Sequence, residues 1–280
     1  MPVDILYCEG GKDSPDIRVI LNLLLGVCTT RYGGSKYGLD QKILFIRQNR
    51  LLPNSVIAGI KDGDFNEDDS VPTNTPRSWL IKDNNNNIQI GWSWERKEIE
   101  NYLIDPEVVY RALGAKAPPI DQYRLALENS ARVIAEYTAA RIALSLSRPQ
   151  KLLPLKNCWG TGRHPFPIHL AEADCRQEIQ SIMQEYLQNQ TIQENNIMAK
   201  FEQLLPDCRP GGRRFEYFLT FFSGKDLLCG MRSALSSFGL GEPFVFRERI
   251  VKEIQRSPDQ AWTWLPEWNQ LRQLVNSFIP

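Results

Sequence analysis

The feature that most narrows what this chain can fold into is its opening unit. A short apolar run, Val3 to Cys8, ends in Glu9-Gly10-Gly11, and Ser14-Pro15 then introduces the helix-like stretch Asp16 to Val27. A buried strand, a glycine-rich turn and a helix with proline at its first position are the parts of an α/β unit, because proline loses no hydrogen bond there and its φ is already helical. Lys42 to Ile46 and Ser55 to Ile60 read as two further buried strands, the second running straight into Lys61-Asp62-Gly63-Asp64. This alternation predicts a Rossmann-like α/β fold, a mainly parallel sheet flanked by helices. In such sheets reactive groups gather where loops leave the carboxyl ends of strands. Three acids stand at those places: Glu9 after the first strand, and Asp62 with Asp64 after a later one. Two carboxylates at a spacing of two suit a hard cation such as Mg²⁺, which takes oxygen ligands and shares them with substrate phosphate. Each acid alone reads equally as a turn residue.

Farther along, Arg77 to Lys82 and Ile88 to Trp94 flank four asparagines beginning at Asn84, the pattern of a hairpin or solvent loop. Glu95 to Leu103 has charges spaced for a short helix, which Asp105-Pro106 stops before another begins. Asp121 to Leu146, Ala171 to Leu187 and Thr191 to Leu205 carry apolar residues at helical spacing, and the irregular stretch Leu153 to Pro167 between the first two suits a functional or interface loop. Phe215 to Phe222 is aromatic and strand-like and passes through Ser223-Gly224 into a helix near Lys225, so the chain is expected to return to the sheet. Phe244 to Gln255 and Trp268 to Phe278 read as terminal helices. The expected organisation is a core over 1–115, an inserted helical lobe over 116–212, and a return to the core with C-terminal helices over 213–280.

With 280 residues, 42% of them hydrophobic, the chain can bury a sizeable core. Lys plus Arg and Asp plus Glu each number 33, so a nucleic-acid partner would have to be met by a local basic patch. Arg209, Arg213 and Arg214 around Pro210-Gly211-Gly212, together with Arg163, are the candidates for gripping a phosphate backbone, with a solvated hinge as the alternative. The sequence lacks an apolar run of the roughly 20 residues needed to span a bilayer and the layout of a secretory signal, and its six cysteines are scattered. A soluble cytoplasmic protein with free thiols and no membrane partner is the expectation. Cys158, His164, His169 and Cys175 offer zinc-type donors at a spacing that matches no familiar finger. Trp262, Trp264 and Trp268 would stack bases or, alternatively, pack the terminal helices.

Four segments carry a family resemblance. Ile5-Leu6-Tyr7-Cys8-Glu9-Gly10 followed by Asp13 resembles the first motif of TOPRIM domains, and Gly59-Ile60-Lys61-Asp62-Gly63-Asp64 resembles the second. Arg96-Lys97-Glu98-Ile99-Glu100-Asn101-Tyr102-Leu103 is similar to a Glu-x-Glu-Asn-Tyr-Leu segment, and Ser223-Gly224-Lys225-Asp226-Leu227-Leu228 to a Gly-Lys helix start. Both occur in the branch that includes overcoming-lysogenization-defect (OLD) nucleases and small stand-alone relatives from bacterial defence operons. The resemblance implies a TOPRIM fold and a Mg²⁺- or Mn²⁺-dependent nuclease of DNA or RNA, acting in antiphage defence, with two ions about 3.5–4 Å apart across the scissile phosphate.

Residue by residue, the resemblance puts Glu9 and Asp13 on one side of the site, Asp62 and Asp64 close by, and Glu98 or Glu100 at the second ion. Lys225, at a helix N-terminus, would neutralise charge on the phosphate. Because Glu98 and Glu100 are two apart, a helix would turn them to different faces, so one at most is expected to reach the ions. Asp13 has the alternative of capping the helix that follows. Asn66 stands where topoisomerases carry a third acid, which disfavours that activity. No Gly-x-x-x-x-Gly-Lys-Ser/Thr loop is present, so ATP control would need a separate ABC-type ATPase partner. A homo-oligomer remains open. The rival reading is a non-catalytic TOPRIM-fold subunit for nucleic-acid binding or assembly, and a primase-like nucleotidyl transferase shares the acids without a nucleotide pocket that the sequence reveals.

Overall fold

The computed structural model describes residues 2–34, 38–83, 86–147, 172–190, 194–257 and 260–278. Five strands, β1 (Ile5–Cys8), β2 (Thr29–Tyr32), β3 (Ile57–Lys61), β4 (Arg77–Asp83) and β5 (Asn86–Ser93), form one sheet in the order β2-β1-β3-β5-β4. The pairs β1·β2, β1·β3 and β3·β5 are parallel, and β4 closes the edge antiparallel to β5. A mainly parallel α/β sheet flanked by helices is therefore present. β1 and β3 lie side by side and are buried along their apolar residues, as strands covered on both faces must be. At the β3·β5 pairing Gly91, with φ +156°, faces Gly59, and a Cβ there would collide with the Gly59 carbonyl. Glycine is what lets these two strands pair.

Helix α1 (Pro15–Leu23) starts at Ser14, whose Oγ accepts from the Ile17 N–H at 3.4 Å, and buries Ile17, Val19, Ile20 and Leu23. The run Lys42 to Ile46 is not a strand but lies in α2 (Leu39–Gln48), which buries Leu39, Ile43 and Ile46 and leaves Phe45 exposed. An apolar run this short fits either period, and the four- and three-residue spacing of its buried members decides for helix. The second strand is instead β2, a polar edge segment lacking the apolar signal. The hairpin expected around the asparagines is present as β4 and β5, with Asp83 opposite Asn86.

Beyond β5 come α3 (Ile99–Leu103), α4 (Pro106–Leu113), α5 (Ile120–Leu146), α6 (Glu172–Gln190) and α7 (Glu194–Cys208). Phe215 to Phe222 forms two single-turn helices, α8 (Arg213–Glu216) and α9 (Phe218–Phe221), rather than a strand. Its rings serve packing: Phe215 meets Phe222 at 6.4 Å, with Phe221 and Phe222 buried. Among the described residues the chain adds no strand after Ser93. Its return to the sheet is made by helices α10 (Gly224–Gly230), α11 (Arg232–Ser237), α12 (Pro243–Arg256) and α13 (Pro266–Asn276). α12 packs on α1, the Val3 N–H donates to the Val275 carbonyl at 2.9 Å, and Phe278 meets Trp92 edge-on at 5.1 Å.

The chain divides into two compact units, Met1–Thr138 with Leu205–Pro280, and Ala139–Leu204. The second is helical in its described residues and buries Ile142, Ala143, Ile182 and Leu204. Among the described residues no helix is long and apolar enough to cross a membrane. Cys8, Cys28, Cys208 and Cys229 are free thiols. Leu153 to Pro167, with Cys158, Arg163 and His164, and also His169, lie outside the described residues.

Candidate functional site

The site is built first by strand register. Because Cys8 pairs with Ile60 across two parallel strands, the residues that follow leave the sheet together. The Glu9 N–H donates to the Ile60 carbonyl at 3.2 Å, and the Asp62 N–H reaches Glu9 Oε2 at 3.4 Å. Gly10, at φ +101°, then turns the chain toward α1, a conformation that favours glycine. The first turn of α1 carries Asp16.

Burial pushes the Asp62 carboxyl up from 3.8 to about 8, helped by the negative charges of Asp16, Glu9 and Glu98 and opposed by Lys225. Asp16 rises to about 6 through burial and then the charge of Glu100, with Lys225 again opposing. Glu9, Asp16, Asp62, Glu98, Glu100 and Lys225 thus share one electrostatic neighbourhood.

A second piece is fixed by the junction of α3 and α10. Glu98 is the extended residue before α3, at φ −159° and ψ 169°. Its Oε1 accepts from Ser223 Oγ and from the Lys225 N–H, both at 2.8 Å, and its Oε2 accepts from Lys225 Nζ at 2.7 Å. Lys225 Nζ also stands 3.5 Å from Glu100 Oε2. Glu98 and Glu100 therefore both face Lys225. The expectation that a helix would separate them fails because Glu98 precedes the helix. Burial alone would depress the Lys225 ammonium, but Glu98 and Glu100 outweigh it and hold its pKa above the ordinary lysine value. Burial alone would raise Glu98, and the same lysine keeps it below the usual carboxylate range. Gly224 permits this approach, since a Cβ there would strike the Asn101 backbone nitrogen.

Other expected residues are placed apart. Asp13 is exposed, and the cap of α1 is Ser14; Asp16, three residues on, is the acid that enters the cluster. Asp64 is half-buried, with Lys97 Nζ 4.0 Å from its Oδ1, and lines a small polar cavity with Arg77, Glu95, Lys97 and Arg214. Arg214 is buried and donates to the carbonyls of Asn66 at 3.2 Å and Glu67 at 3.1 Å, its guanidinium lying over Phe221. It fastens the segment after β3 rather than offering a surface cation to phosphate. Arg209 pairs with Glu136 at 2.6 Å, and Arg213 is exposed. Trp264 and Trp268 are core residues, with Trp268 packed on Tyr102 at 6.0 Å, while Trp262 is half-buried beside Arg272.

Three participants escaped the sequence. Asp16 resembles any acid in a helix's first turn, where the dipole favours it. Asn101 and Arg247 act only through tertiary partners. Asn101 Oδ1 accepts from the N–H groups of Glu98 at 3.0 Å and Gly224 at 3.2 Å, and its Nδ2 donates to the Phe222 carbonyl at 2.9 Å. Arg247, on α12, donates from Nη1 to Glu100 Oε1 at 3.1 Å.

Among the described residues no group of three or more acid, histidine or cysteine side chains is placed to hold a metal ion. The donors nonetheless suit a hard cation. Glu9, Asp16 and Asp62 carry carboxylate oxygens, the donor type a hard cation takes, and burial and mutual repulsion disfavour charge on Asp16 and Asp62. A divalent ion would relieve that repulsion, and Mg²⁺ commonly takes only one or two protein carboxylates alongside water and phosphate. No protein-family model matches this sequence, and no curated protein matches it.

Proposed function

We propose that this chain is a TOPRIM-type nuclease that hydrolyses phosphodiester bonds of DNA or RNA with Mg²⁺ or Mn²⁺, an antiphage effector controlled by a separate ATPase. The observation that carries the reading is the adjacency of Glu9 and Asp62 at neighbouring parallel strand ends, half-buried and in electrostatic reach of Asp16, with Lys225 opposing their charge. Glu9 and Asp62 would hold the ion, with Asp16 adding negative charge behind them. A divalent ion bound there supplies Lewis-acid polarisation of the phosphate and activation of water. Lys225 stays protonated through neutral pH and brings its charge to the phosphate, while Glu98 and Glu100 fix its Nζ. The Glu98 carboxylate is spent on orienting Lys225 and the α10 N-terminus, so its role is positioning.

The test is direct. Purified protein should cut nucleic acid in the presence of Mn²⁺, and Asp62→Asn or Glu9→Gln should each abolish cutting while leaving the chain folded. Cutting that survives both changes would sink the metal mechanism. The rival, a non-catalytic binding or assembly subunit, draws support from the burial of Arg214, which removes one member of the anticipated phosphate grip. It predicts no Mn²⁺ binding and no cutting with any substrate.

A further inference from the structure

Helix α13 buries Trp268, Leu271 and Val275 on one side and carries Asn269, Arg272, Gln273 and Asn276 on another, at the spacing of a single helical stripe. With Trp262, from the turn Ala261–Thr263, and Val27, from the turn between α1 and β2, these four line a groove of about 410 Å³. That volume lies within the range of about 300–1,000 Å³ usual for small-molecule sites. The Arg272 guanidinium stands over the Trp262 ring at 5.1 Å. It donates from Nη1 to the Leu23 and Leu25 carbonyls at 2.7 and 3.2 Å, and from Nη2 to the Leu25 carbonyl at 3.2 Å. Carbonyls orient a guanidinium without cancelling its charge, and among the described residues Arg272 pairs with no carboxylate. No acid lines the groove.

We propose that this groove is a nucleotide-binding site that takes a base against Trp262 and the amides of α13, and a phosphate at Arg272. Each part of such a ligand has its counterpart. An indole gives a base an apolar surface to stack on. A side-chain amide offers a donor and an acceptor side by side, the pair that a base edge returns. A guanidinium without a counter-ion matches phosphate. A neutral sugar would use the ring and the amides but leave that cation unanswered. The groove is also remote from the acids. Val27 lies just before β2, whose Thr29 pairs with Ile5 at the start of β1, whereas Glu9 follows the end of β1. The nine residues of α1, roughly 14 Å of helix, run between the two ends. A nucleotide held here is therefore not the one whose bond would be cut, and the proposal stands independently of the metal-dependent reading. Its source is either a free nucleotide or a base of a single strand lying across the molecule.

The experiment titrates the full chain with AMP by calorimetry in EDTA, so that no metal-dependent cutting intervenes. AMP should bind more tightly than adenosine, which lacks the phosphate, and than ribose 5-phosphate, which lacks the base. Trp262→Leu should weaken AMP by at least about fivefold, the low end for loss of one stacking ring. Asn276→Asp, at an exposed position, gives Arg272 a carboxylate one helical turn away. It should weaken AMP and leave adenosine unchanged. A short single-stranded DNA distinguishes the sources: binding of AMP alone assigns a free nucleotide, and DNA binding weakened by both substitutions assigns a strand. AMP affinity untouched by either substitution, maltose binding as tightly as AMP, or no binding of AMP or DNA at millimolar concentration would each overturn the proposal.

Discussion

At the scale of single residues the instructive one is Asp62. An ordinary aspartate would be ionised at neutral pH, yet burial and the neighbouring acids lift this one to about 8. The unfolded chain ionises it near 3.8, so between those values the folded state holds the extra proton and stability falls as pH rises through the window. The loss is complete above the folded value and absent below about 4. In thermal melts without divalent ions, Asp62→Asn should therefore outlast the wild type at pH 8.5, estimated as about half a unit above the folded value, and the gap should close toward acid. A wild-type advantage at alkaline pH would contradict the assignment. A cation must also displace the Asp62 proton. Mn²⁺ binding measured in buffers of different ionisation enthalpy should release protons and weaken below about pH 8, by at most about tenfold per unit for one proton. A residue that costs stability and gains a ligand is the exchange expected where function is stored.

Among the elements, the decisive contact is the junction of α3 with α10, and Asn101 is its staple. The fully buried amide serves two N–H groups and one carbonyl at the point where Glu98 and Lys225 meet. Asn101→Ala would leave those three backbone groups without partners, at about 1–3 kcal/mol for each one unsatisfied. Even with partial rehydration the variant should melt many degrees lower and lose Mn²⁺-dependent cutting, whereas a melt within a degree or two of wild type would show the staple to be dispensable. This junction also marks where sequence reasoning stopped. β1 and β3 were legible because strands buried on both faces read as continuous apolar runs, and Glu9 and Asp62 were legible as the acids that end them. α2 was not, because a run of four apolar residues, Ile43 to Ile46, fits both periods. β2 was not, because an edge strand needs little hydrophobicity. The aromatic run from Phe215 was misread because its rings pack a helical turn. Asp13 drew attention as the acid that follows Glu9-Gly10 in the resembled motif, but it is exposed, and the first turn of α1 brings Asp16 to the cluster. Nothing local marks Arg247, whose partner lies 147 residues earlier.

Over the whole molecule, one polar network binds the C-terminal helix to the segment that carries the site. Glu267 of α13, buried and raised to about 7 chiefly by that burial, accepts from the Glu95 N–H at 2.7 Å and from the Tyr102 hydroxyl at 2.6 Å. Tyr102 in turn accepts from the Arg96 N–H at 3.2 Å. The junction between β5 and α3 is thus set by a residue of the last helix, and the first compact unit holds every acid of the cluster together with Lys225 and Arg247. Within that unit Arg209 reaches Glu136 at 2.6 Å, so the chain leaves toward 139–204 and comes back at neighbouring points. An excursion whose ends already meet can be shortened without imposing strain on what remains, and the buried residues Tyr123, Leu127, Ala131 and Ala135 of the earlier part of α5 stay with the first unit. Replacing 139–204 with a short Gly-Ser linker should give a chain that melts cooperatively and binds Mn²⁺ with wild-type affinity. Loss of substrate cutting alone would assign the helical unit to substrate or partner binding. Loss of the cooperative melt would instead make that unit part of the structure on which the acids depend.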